Sequence, residues 1–148
     1  MTHKDCYTNI MLDLECAGST LPDPVLLELA AVHFDLDTGV VFDHYSTIVN
    51  FESCKKVGLR QDQETMDWLN NHIPRTLDAS RYGGKPLREA LSDLKKFVQR
   101  CITATQDRLS MQSLEVPYGS DQAMVWGNRA VGDNVYACIS LSFSNLSL

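Results

Sequence analysis

The segment NIMLDLECAGS, residues 9–19, drives an apolar run into two carboxylates, Asp13 and Glu15, and leaves through Ala17, Gly18 and Ser19. In extended backbone, residues two apart share a face and lie roughly 6.6 Å apart along the chain. Asp13 and Glu15 therefore point one way, and Leu12 and Leu14 point into the opposite layer. Two like charges beside an apolar layer repel, and a cation between them would remove the repulsion. Their oxygens can converge on one ion, or Asp13 can bridge two held about 3.5–4 Å apart, as in two-metal phosphoryl chemistry. Hard oxygen donors suit Mg²⁺ or Mn²⁺ rather than Zn²⁺. On spacing alone, a strand end reaching solvent also accounts for two acids without any ligand.

The charge around this pair is unevenly spread. The chain has 148 residues and a net charge of -6. Residues 1–71 hold 12 acids against 4 bases, whereas residues 72–108 hold 8 bases against 4 acids. An acidic first half can hold metal, and a basic middle can meet phosphate; a solvated helix face explains the middle equally well. The length fits one domain, and 44% hydrophobic with 22% charged residues is an ordinary globular composition. No apolar run approaches the roughly 20 residues that span a bilayer. MTHKDCYTN lacks the apolar stretch of a signal peptide, and five cysteines without CxxC do not make a disulfide framework. The expectation is a cytoplasmic chain with no membrane segment.

The elements that must position the pair are readable from periodicity. Ile10 to Glu15 reads as a strand. The runs 25–35 and 40–49, joined through Asp37-Thr38-Gly39, read as a hairpin. Residues 62–73 read as a helix capped by Asp62 and stopped by Pro74, with Met66, Leu69 and Ile73 on one face. Leu87, Leu91, Leu94, Val98 and Cys101 recur at helical spacing, which predicts a helix over 86–101 after the Gly83-Gly84 break. Residues 103–121 read as a loop and 123–126 as a short strand, with a helix expected from Asp133 onward. Three strands, two helices and a strand make a mixed α/β sheet covered by helices.

DLECAGS resembles the first motif, Asp-x-Glu-x-x-Gly, of the DEDD (DnaQ-like) 3′-5′ exonuclease superfamily, whose fold is ribonuclease H-like. LLELAAVHFDLDTG is similar to that family's second strand and turn. QETMDWL is similar to a Thr-x-x-Trp helix of its phage-type and bacterial exoribonuclease branches, and LREALSDLKKFV to their next helix. VWGNRAVGDN resembles the second motif, with Asp133 at its acid, although Arg129 and Gly132 replace a usual Gly and aromatic. The resemblance covers about residues 9–136. It implies two Mg²⁺ or Mn²⁺ ions and a single-stranded nucleic-acid 3′ end, DNA or RNA, as substrate. In it Asp13 bridges both ions, Glu15 orients the attacking water, and Asp133 supports the second ion. Ala17, Gly18 and Asn128 hold the terminal nucleotide, with no bulky Cβ at 17–18 to block its approach.

The same resemblance implies a third motif with a fourth Asp and a His or Tyr general base. The sequence stops 15 residues after Asp133, so the expectation is a C-terminally truncated single domain lacking the last strand and helix, with weak or no activity alone. Two rival readings stand beside it: a catalytically dead remnant that binds metal or nucleic acid, and a homo-oligomerising module that pairs through its open sheet edge. His33, His44 and His72 read as structural or surface residues. Trp68 and Trp126 read as packing residues in preference to base-stacking platforms. The cysteines read as structural, with Cys16, inside the first motif, an alternative candidate for oxidation although nothing marks its pKa as lowered, and Lys55, Lys56 and Arg60 read as a solvated basic loop.

Overall fold

Strand β1 (Thr8–Cys16) alternates as its sequence demands, burying Thr8, Ile10, Leu12 and Leu14 and turning Met11 and Asp13 outward. The computed structural model describes residues 7–112 and 120–127. Strands β2 (Leu26–Phe34) and β3 (Val41–Ile48) form the hairpin expected on either side of Asp37-Thr38-Gly39. Its turn closes on Asp35, whose Oδ1 accepts from the amides of Asp37 and Thr38 at 3.1 and 2.8 Å. Strand β4 (Ala123–Gly127) lies on the other side of β1, giving the order β3-β2-β1-β4. β4 is parallel to β1 and the remaining pairs are antiparallel. This is the mixed α/β sheet with flanking helices that the sequence predicts.

Four helices occupy the described residues: α1 (Phe51–Lys56), α2 (Gln63–His72), α3 (Pro74–Tyr82) and α4 (Leu87–Gln112). α4 crosses the face carrying Ile10, Leu12 and Leu14, burying Ala90, Leu91, Leu94, Phe97, Cys101 and Thr105 at three- and four-residue intervals. Helices α1, α2 and α3 close the end of the sheet where β1 stops and β2 begins. Cys54 points its thiol at the Leu26 carbonyl, and Ser80 donates to the Val49 carbonyl at 2.6 Å. No helix among the described residues is long and apolar enough to cross a membrane.

The structure corrects four expectations. Residues 103–112 continue α4 instead of forming a loop, because the β2–β3 hairpin extends far enough to receive them: Thr105 meets buried His33, and Arg108 lies 4.0 Å over the Phe42 ring. Pro74 ends α2 but also begins α3, as its fixed φ suits a first helical turn. Lys55 and Lys56 are the last turn of α1, where cations favour the helix dipole, rather than a loop. Arg60 is not a free cation either, since its guanidinium grips Asp23 at 2.6 Å. The helix expected from Asp133 onward falls outside the described residues, as does the part of the chain on which the expected truncation turns.

Candidate active site

The face of the sheet opposite α4 carries the acidic pair. Asp13 is exposed and Glu15 half-buried, while Leu12 and Leu14 on the other face are each 3% exposed. Strand register adds a residue that the sequence alone did not single out. Asp13 stands opposite Ala30, and Glu15 stands opposite Glu28. Directly paired residues share a face, with Cβ atoms about 4.5–5.5 Å apart. Glu28 sits in the resemblance's second strand, but only the pairing of β1 with β2 shows that it meets Glu15.

This crowding has an electrostatic signature. Burial, then the charges of Asp13 and Glu28, hold the Glu15 carboxyl above its usual range. The neighbouring Cys16 thiol is pushed up to about 12, chiefly by burial and then by Glu15. It therefore stays protonated at neutral pH, in keeping with the reading of the cysteines as structural. Among the described residues no group of three or more His, Cys, Asp or Glu is arranged to hold a metal ion. Asp13 and Glu15 project together from this face, with Glu28 as an acidic neighbour.

Beyond the strand, the chain is tied to α2. The Ala17 amide donates to the Val25 carbonyl at 2.9 Å, and the Ala17 carbonyl accepts from the Asp62 amide at 3.0 Å. Ala17 is 0% exposed, with both backbone groups engaged inside the protein. At Gly18 a Cβ would lie 2.7 Å from Leu21 Cδ1 and 3.3 Å from Asp62 Oδ2. A larger residue there would have to displace the end of the Leu21 side chain and crowd Asp62. Asp62 caps α2 as predicted, accepting from the Thr65 amide at 2.7 Å. The Thr65 hydroxyl in turn accepts from the Ser19 amide at 3.1 Å and lies 3.2 Å from the Ser19 hydroxyl. DLECAGS and QETMDWL, 46 residues apart at this contact, are thus neighbours in space.

β4 brings the second motif's strand to the same place. Its last residue, Gly127, is level with Leu12, one position before Asp13. Asn128 and Asp133 lie outside the described residues. Neither tryptophan is a core residue, contrary to expectation. Trp68, on the outer side of α2 from buried Met66 and Leu69, is 49% exposed and stacks on His72 with ring centroids 4.4 Å apart. Trp126 is 40% exposed and donates from Nε1 to Asn9 Oδ1 at 3.1 Å.

The histidines behave as structural or surface residues. His33 is buried on the α4 face, and His44 and His72 are exposed. His44 shares the open face with Asp13 but stands on β3, two strands away from β1, or roughly 10 Å. A cavity of about 610 Å³ lies at the opposite end of β1, lined by Tyr7, His33, Phe42, Arg108 and Trp126 but by neither carboxylate. That cavity's acids, Asp35 and Asp37, sit on the hairpin turn, away from Asp13 and Glu15.

Residues 8–146 match the family model described as the 3′-5′ exoribonuclease Rv2179c-like domain. No curated protein matches the sequence.

Proposed function

The chain belongs to the Rv2179c-like 3′-5′ exoribonuclease family, and we propose that it trims single-stranded RNA from the 3′ end by metal-assisted hydrolysis of the terminal phosphodiester. The observation that carries this reading is the projection of Asp13 and Glu15 from one face of β1, at the end of the sheet where the Ala17–Gly18–Ser19 loop meets α2. The residues fit a divalent cation by their chemistry. Both are hard oxygen donors, and Glu15 already carries the electrostatic strain that a cation would relieve.

When bound, Mg²⁺ or Mn²⁺ supplies counter-charge to the scissile phosphate and makes water a stronger nucleophile near neutral pH. In this proposal Asp13 and Glu15, with Asp133, would hold the divalent ions, and Glu15 would also orient the attacking water. Ala17 and Gly18 would form the packed floor beneath the terminal nucleotide, contributing shape because the Ala17 backbone is already hydrogen-bonded, and Asn128 is the further residue proposed to bind that nucleotide. The low-dielectric layer of Leu12 and Leu14 behind the pair keeps both acids aimed outward. The test is release of mononucleotides from 3′-labelled single-stranded RNA with Mn²⁺, compared between the wild type and Asp13→Ala. Equal release by both proteins, or none by either, contradicts the reading.

A further inference from the structure

We propose that Thr65 is a positioning residue for the loop that receives the terminal nucleotide, an inference that rests on the exoribonuclease reading above. The loop leaves β1 at Cys16 and is fastened to α2 at two points. Ala17 is held through backbone by the Asp62 amide, and Ser19 is held through the Thr65 hydroxyl. That hydroxyl uses both of its capacities on one residue, accepting from the Ser19 amide at 3.1 Å and donating to the Ser19 hydroxyl across 3.2 Å. The Thr65 backbone is itself fixed by the Asp62 cap at 2.7 Å. The circuit thus runs from Ala17 through Asp62 and Thr65 back to Ser19, and encloses Gly18.

The Asp62 side chain adds nothing to the tether that its amide makes, because Oδ1 caps α2 and the buried Oδ2 near Gly18 has no hydrogen-bond partner. The Thr65 hydroxyl is the side-chain group that holds Ser19, while Arg60 grips Asp23 further along the same connection. Thr65 is only 9% exposed, so it acts on substrate through Ser19 and Gly18, not by contact. Ser19 itself is exposed, and without the hydroxyl its amide would turn to water and Ser19 would lose its fixed position between the anchors at Ala17 and Asp23. Orientation of this kind governs substrate seating, where displacements of about 1 Å are costly.

The experiment compares Thr65→Val, which keeps the shape and deletes the hydroxyl, with Thr65→Ser, which keeps the hydroxyl. Thr65→Ala replaces the first variant should it fail to fold. Amide hydrogen exchange at Ser19 in the RNA-free protein should quicken by up to about tenfold in Thr65→Val, the factor that one net hydrogen bond carries. KM for 3′-labelled RNA with Mn²⁺ should rise by a similar factor while kcat changes by less than about twofold. Thr65→Ser should restore both values. Unchanged exchange in Thr65→Val, or faster exchange with unchanged KM, overturns the inference and leaves the exoribonuclease reading intact. A wild type that leaves the RNA uncut overturns that reading, and the positioning role with it.

Discussion

Glu15 and Glu28 face each other directly across β1 and β2, placing like charges at one rung of the ladder. Such a pair opposes folding, and it stands in the family's first-motif region, where a cation would turn repulsion into attraction. The Glu15 carboxyl is held above its usual range, so the native state binds that proton more tightly than the unfolded chain does. Stability from this group is therefore present below the unfolded value near 4.5 and declines as pH rises through the native value. Glu15→Gln and Glu28→Gln should each raise Tm at pH 7 in metal-free buffer by roughly 1–4 °C, since cross-strand charge pairs are worth about 0.2–1 kcal/mol. Glu15→Gln should abolish RNA cleavage while Glu28→Gln retains it. Thermal melts between pH 4 and 7, with a cleavage assay on the same samples, check both outcomes.

His33 should give the chain a stability slope of opposite sign. It is 2% exposed, lies 3.2 Å from the Thr105 hydroxyl, and packs on Phe42 with ring centroids 5.0 Å apart. Burial and then Arg108 lower its pKa, with Asp43 pulling the other way. The unfolded chain takes up this proton first as pH falls below about 6.5, so stability is lost from there down through the native value. One proton limits the slope to about 1.4 kcal/mol per pH unit. Urea midpoints between pH 7 and 5 should fall more steeply for wild type than for His33→Gln, the difference between the two isolating this group.

Gly84 should tolerate substitution far less than Gly39, although both adopt left-handed backbone, with φ of 78° and 72°. A Cβ at Gly84 would lie 2.8 Å from the Val49 carbonyl carbon and 2.9 Å from the Asn50 nitrogen, whereas at Gly39 it meets open space. Those backbone atoms cannot yield, because Lys85 pairs with that segment through hydrogen bonds to Ile48 and Asn50. Gly39→Ala should cost about 1–2 kcal/mol for conformation alone. Gly84→Ala adds overpacking, for a total of about 2–5 kcal/mol. Equilibrium urea unfolding of the two variants measures the difference.

Much of this molecule was legible in its residues. Alternation in LDLE gave β1 and the outward acids, and the DTG turn gave the hairpin. The Leu87–Cys101 spacing gave the core of α4. Helix α1 escaped because six residues carry only Phe51 and Cys54 as buried anchors, too few for a periodic signal. The last turns of α4 are polar in sequence and become helical through Thr105 and Arg108, whose partners His33 and Phe42 are distant along the chain. Glu28 was invisible as a site residue for the same reason. Its meaning comes from strand register, which no short motif contains. Trp68 and Trp126 were mistaken for core because size favours burial on average, whereas each projects from the outer surface of its element.

The central claim is that Asp13 works with Glu15 on phosphodiester hydrolysis at RNA 3′ ends. The most direct measurement is the rate of mononucleotide release from 3′-labelled single-stranded RNA with Mn²⁺, for wild type, Asp13→Ala and the Glu28→Gln control. The account predicts release by wild type and the control, and loss of at least about 10²-fold in Asp13→Ala, with its fold intact by circular dichroism. Release by Asp13→Ala at the wild-type rate, or a wild type that leaves the RNA uncut, would contradict it.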